Sequence, residues 1–102
     1  MTTPNFSIEE LKKRACETID KRKKEIIDLS KQVLANPEAG FREFKTAQLV
    51  AQKFQELGIQ HQGGLAVTGL KGRIPGGAGS GPTVAVIGEL DSLVVTEHPH
   101  AD

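Results

Sequence analysis

Ten of the eleven glycines fall after residue 57, and this asymmetry divides the chain into a helical half and a half of strands and turns. Residues 1–57 contain only Gly40. Glycine gives up the most backbone freedom on folding, so its scarcity there favours long helices. Charge divides at the same place. Residues 1–57 carry 11 Lys and Arg against 9 Asp and Glu, and residues 58–102 carry 2 against 4. The whole chain, at 102 residues with no formal net charge, is the size of one small domain with a modest core.

Ser7 followed by Glu10 forms an S-x-x-E capping box, which places a helix start just after Ser7. Ile8, Leu11, Ala15, Ile19, Ile26, Val33 and Leu34 then recur at nearly helical spacing. The helix should run to residue 35, because Pro37 disfavours helical backbone at Asn36. The run Lys21-Arg22-Lys23-Lys24 reads as a solvated face, with Asp20, Glu25 and Asp28 as partners, rather than as a nucleic-acid site. Cys16 lies beside the apolar stripe and reads as a small core residue. A second helix is expected over about 42–57, with Phe44, Ala47, Leu49, Val50, Phe54 and Leu57 on its apolar face and Gly58 as a left-handed cap.

The glycine-rich half predicts strands over about 59–62, 65–74 and 83–90, with a turn at Gly63-Gly64 between the first two. Residues 75–82 read as a flexible connection. They lack the Gly-Lys-Ser/Thr ending of a phosphate loop, and no helix is expected after them. Thr83-Val84-Ala85-Val86-Ile87-Gly88 is nearly continuously apolar, as in a strand covered on both faces. The fold class is therefore α/β: two amino-terminal helices followed by strands of a larger sheet.

Several function classes lose support on composition. Zero net charge gives no general attraction to nucleic acid or anionic membrane, so neither is expected as a partner. One cysteine forms no internal disulfide or Cys-rich zinc module. No stretch reaches the ~18 apolar residues of a membrane span, and the start MTTPNFSIEE has no signal-peptide core, so a cytoplasmic location is expected.

Chemistry concentrates after the apolar run. Glu89 and Asp91 are two apart, which on a strand end points both to one face, where a divalent cation or a shared proton would relieve their repulsion. A polar strand end reaching water explains the same pair. His98 and His100 repeat the spacing and Asp102 continues it; such donors suit zinc or manganese, although Pro99 between them argues for an exposed loop. His61 reads as an ordinary surface residue.

Three blocks taken together resemble the amino-terminal part of M20-type metallopeptidases and amidohydrolases, in the aminoacylase/carboxypeptidase-like branch. Pro37-Glu38-Ala39-Gly40-Phe41-Arg42-Glu43, with Thr46, is similar to that branch's "PE-x-GF-x-E-x-x-T" segment. Thr68-Gly69 is similar to its "TG" before a strand. Residues 89–97, ELDSLVVTE, are similar to its "D-x-D-A-L-P-I-x-E" segment. The resemblance covers about residues 14–102.

The resemblance implies a two-domain hydrolase, homodimeric, whose catalytic zinc-exopeptidase-like domain uses zinc, manganese or cobalt to cleave an amide in a dipeptide or N-acyl amino acid. It implies that Asp91 supports the metal centre from beside it. Glu89 stands where this branch has aspartate and other branches have a metal-binding histidine, and Glu97 matches the closing glutamate. Val94 replaces the usual proline, and Leu34 stands where many members have histidine. The branch's "H-A-C-G-H-D" segment, with principal metal ligands, is expected after Asp102, and the glutamate base lies later still. Residues 1–102 are thus expected to be an incomplete amino-terminal part of the catalytic domain, inactive alone and binding no metal tightly. The alternative is a non-catalytic α/β protein-interaction module.

Overall fold

The structure is a computed structural model and describes residues 5–100. It forms two compact units that divide between Ala35 and Asn36. The first contains α1 (Ile8–Lys21) and α2 (Lys23–Ala35). The second contains α3 (Phe44–Glu56), β1 (Gln60–Leu65) and β2 (Gly69–Arg73). Among the described residues, three helices and a two-stranded antiparallel sheet make a small α/β arrangement.

α1 starts at the predicted capping box. The Glu10 N–H donates to Ser7 Oγ at 3.2 Å, and the Ser7 N–H donates to Glu10 Oε2 at 3.2 Å. The single helix expected over 8–35 is interrupted at Arg22, whose N–H is shared between the Thr18 and Ile19 carbonyls at 3.1 Å each. Four consecutive cations stand at this break, and Lys21 and Lys24 would repel across one helical turn. Arg22 instead turns both Nε and Nη2 onto the Glu25 carboxylate at 3.0 Å, and Lys24 pairs with Asp28 at 2.6 Å. The basic run is thus exposed as expected, with Arg22 and Lys24 paired to Glu25 and Asp28, two of the three partners anticipated. Cys16 is exposed, not a core residue, because α1 buries none of its side chains.

α3 ends in a Schellman motif. Gly58 has φ +68°, its N–H reaches Gln55 O at 3.1 Å, and the Ile59 N–H reaches Phe54 O at 2.8 Å. The chain then enters β1, which pairs Gln60 with Arg73, His61 with Gly72 and Gln62 with Lys71. Phe54 of α3 and His61 of β1 bring their rings to 5.5 Å, so α3 lies against the hairpin.

The turn is not at Gly63-Gly64. Those two residues stay within β1, where the register shifts between Gln62 and Leu65 so that two residues oppose one. The reversal occurs at residues 66–68, with Ala66 at φ +47° and Val67 at φ +79°. A β-branched residue is strained in that region. Val67 is also exposed, so its side chain contributes little packing. Val67→Asn, which tolerates left-handed backbone, is expected to raise the unit's melting midpoint by about 3–6 °C, read by circular dichroism. An unchanged or lowered midpoint would show that this turn carries no strain.

The strand expected over 83–90 does not form: these residues have no regular secondary structure. Val84, Val86 and Ile87 are 87–95% exposed. A strand needs a ladder of backbone partners, and among the described residues only β1 and β2 pair. The modest core is missing too. No hydrophobic side chain is buried among the described residues, because the apolar faces of the elements lack a second layer to cover them.

Candidate functional site

What is buried is polar. Glu43, Thr46 and Thr68 retain only 4–8% of their accessible surface, and they sit where two of the three motif blocks meet in the second unit. The first block forms the loop into α3. Glu43, in the N-cap position, makes no side-chain cap bond there. Glu38, several residues earlier, takes that role. Its Oε2 accepts the Lys45 N–H at 3.1 Å, and its Oε1 accepts the Thr46 N–H at 2.6 Å and the Thr46 hydroxyl at 2.8 Å. The Lys45 and Thr46 amides are among the helix-start donors with no intrahelical partner, and a carboxylate there also meets the positive end of the helix dipole.

Glu43 turns the other way. Its Oε1 accepts the Phe41 N–H at 2.9 Å, where the chain bends through φ +62°, and its Oε2 accepts the Thr68 hydroxyl at 2.5 Å. Thr68 lies in the hairpin turn, 25 residues away in sequence. Gly69 follows it because a Cβ at that position would sit 2.6 Å from the Leu65 carbonyl oxygen. The Thr68-Gly69 pair therefore combines a hydroxyl anchor with a close backbone crossing.

Both carboxylates are held below the ordinary glutamate range. For Glu43 the Thr68 hydroxyl is the main cause, opposed by burial and by the Glu38 charge. For Glu38 burial pushes upward, and the Thr46 N–H and hydroxyl together with the Lys45 N–H outweigh it.

The third block reaches this cluster through a bond from the Ser92 N–H to the Glu38 carbonyl at 2.7 Å. Asp91 is the residue before it. Glu89, Asp91 and Glu97 are exposed, and Glu97 lies in a turn at residues 96–97. The Nδ1 of His98 accepts the His100 N–H at 3.0 Å, and the two rings lie 5.8 Å apart. Asp102 lies outside the described residues. Among the described residues no three His, Cys, Asp or Glu side chains stand together as a metal ion requires, so the donors present do not by themselves fit a catalytic metal. His61 is exposed, with its Nδ1 2.9 Å from the Ile59 carbonyl oxygen.

Sequence reasoning singled out Asp91 and Glu89 but assigned no role to Glu38, Glu43, Thr46 or Thr68. The available signal was a glutamate shortly before a helix with threonine at its third position, a pattern able to satisfy helix-start amides.

Several curated proteins are similar to this chain. IAA-amino acid hydrolase ILR1-like 5 of Arabidopsis thaliana is 31% identical over 72 residues, which is 71% of this chain and 16% of that protein. Thermostable carboxypeptidase 2 of Saccharolobus solfataricus is 36% identical over 73 residues, 71% of this chain and 18% of that protein. Thermostable carboxypeptidase 1 of the same organism is 32% identical over 74 residues, 72% and 19% respectively. The match therefore spans less than a fifth of the length of these relatives. No family model and no solved structure matches the chain.

Proposed function

We propose that this chain, which over the 71% of its length that aligns belongs to the M20-family amidohydrolases, is the amino-terminal part of a catalytic domain that hydrolyses an amide bond in a dipeptide or N-acyl amino acid. The observation that carries the reading is the convergence of the motif blocks. Glu43 meets Thr68, and the Glu38 carbonyl meets Ser92, so segments far apart in sequence adjoin in one unit. The relatives' names, hydrolase and carboxypeptidase, give the reaction class. Hydrolysis would depend on zinc, manganese or cobalt, with the principal ligands contributed from outside residues 5–100. Asp91 would support that centre, with Glu89 and Glu97 in lesser roles. The complete enzyme would be a cytoplasmic homodimer, and no described helix is long and apolar enough to cross a membrane.

Isothermal titration of the 102-residue chain with zinc or manganese tests the division of labour. Binding no tighter than roughly micromolar is expected, since one or two carboxylates do not hold a catalytic metal. A stoichiometric nanomolar site that used Glu89, Asp91, His98 or His100 would overturn it.

A protein-interaction module is the second reading, favoured by the exposure of Val84, Val86 and Ile87. Reading the gene beyond the Asp102 codon separates the two. A His- and Cys-containing continuation supports the hydrolase, and an immediate stop supports the module.

A further inference from the structure

We infer that Glu38, with Thr46 as its anchor, is a positioning residue that fixes the backbone carrying Asp91. The importance of Asp91 rests on the hydrolase reading, whereas the positioning itself rests on geometry alone.

Residues 81–95 have no regular secondary structure, so no ladder or helix holds Asp91 in place. Within the second unit, a backbone bond from the Ser92 N–H to the Glu38 carbonyl at 2.7 Å ties this stretch to the loop that leads into α3. A single bond fixes a segment only as well as its acceptor is fixed. The Glu38 acceptor is held by its own side chain, which receives three donors from the first turn of α3 within 3.1 Å. The second carboxylate, Glu43, ties the hairpin turn to the same helix start through Thr68. The amino end of α3 is therefore a hub to which the hairpin and the Asp91 segment are both pinned, by side chains that the catalytic reading left without a task. Such pinning has catalytic weight, because misplacing a reacting or supporting group by about 1 Å costs up to ~100-fold in rate.

Amide hydrogen exchange on the 102-residue chain, followed by NMR, is the test. In the wild-type chain the Ser92 amide is expected to exchange about tenfold more slowly than the amides of its unbonded neighbours. Glu38→Ala keeps the carbonyl acceptor but releases its anchor, so Ser92 should exchange as fast as those neighbours while amides beyond the first turn of α3 stay protected. Glu38→Gln keeps the length and one acceptor oxygen and should recover part of the protection, which bulk stabilisation of the helix would not reproduce in that order. Should Glu38→Ala lose α3 altogether, Thr46→Val removes only the hydroxyl donor and is expected to speed Ser92 by about threefold, with Thr46→Ser restoring the wild-type rate. An unprotected Ser92 amide in the wild-type chain, or equal protection in wild type and in the variant that retains α3, overturns the inference. No hydrolysis is measured, so this outcome stands apart from success or failure of the hydrolase reading.

Discussion

Asp91→Asn, made in the longer hydrolase of which we propose this chain to be part, is expected to lower amide hydrolysis by about 10–100-fold, the usual cost of losing a partner that supports a metal centre from outside. The substitution keeps the shape and removes the charge. It should leave the fold alone, because Asp91 is exposed and the bond that pins the segment is made by the Ser92 backbone. Glu97→Gln should do less, since Glu97 lies in an exposed turn five residues beyond Ser92. Both variants belong in one steady-state comparison on identically metal-loaded protein. Wild-type turnover in Asp91→Asn would show that the role implied by the resemblance does not belong to this residue. An equal loss in both variants would move the effect from one carboxylate to the general electrostatics of the loop.

The features legible in the sequence are those decided within a few residues. The Ser7–Glu10 box, the helix stop before Pro37 and the Gly58 cap each depend on one turn of backbone, and each appears in the structure. The misplaced hairpin turn shows where local reasoning ends. Gly63-Gly64 is the better turn dipeptide, but the register that pairs Gln60–Gln62 with Lys71–Arg73, and the close crossing of Gly69 at Leu65, push the reversal onto Ala66 and Val67. Residues 83–90 fail for a related reason. Apolarity on both sides describes what a strand would need around it, but a pairing partner is a property of other segments. The carboxylate cluster was hidden likewise, because the Glu43–Thr68 bond joins residues 25 apart through a hydroxyl that no spacing rule singles out.

Acid is expected to loosen the second unit through these two carboxylates, Glu43 and Glu38. The folded-state pKa of Glu43 lies below its ordinary value of 4.5, chiefly because the Thr68 hydroxyl donates to the ionised form. The Glu38 value is lowered as well, by the Thr46 and Lys45 donors against the opposing effect of burial. With folded pKa values depressed, the stabilisation is fully present above 4.5, where both groups are ionised in the folded and unfolded chain alike. Below that value the unfolded chain takes up protons first, so stability drains as pH falls and levels off only beneath the depressed folded values. Glu43→Gln carries no titrating proton, so its midpoint should fall less steeply over that window while keeping an acceptor for Thr68. Glu43→Ala removes the acceptor for both the Thr68 hydroxyl and the Phe41 N–H, and at neutral pH should lower the unit's midpoint by about 5–10 °C. Thermal melts followed at the hairpin amides across the carboxylate range measure all three proteins. A wild-type midpoint that stays flat through that range would mean that Glu43 and Glu38 gain nothing from ionisation in the fold, and that the hairpin is held to α3 by the Phe54–His61 contact instead.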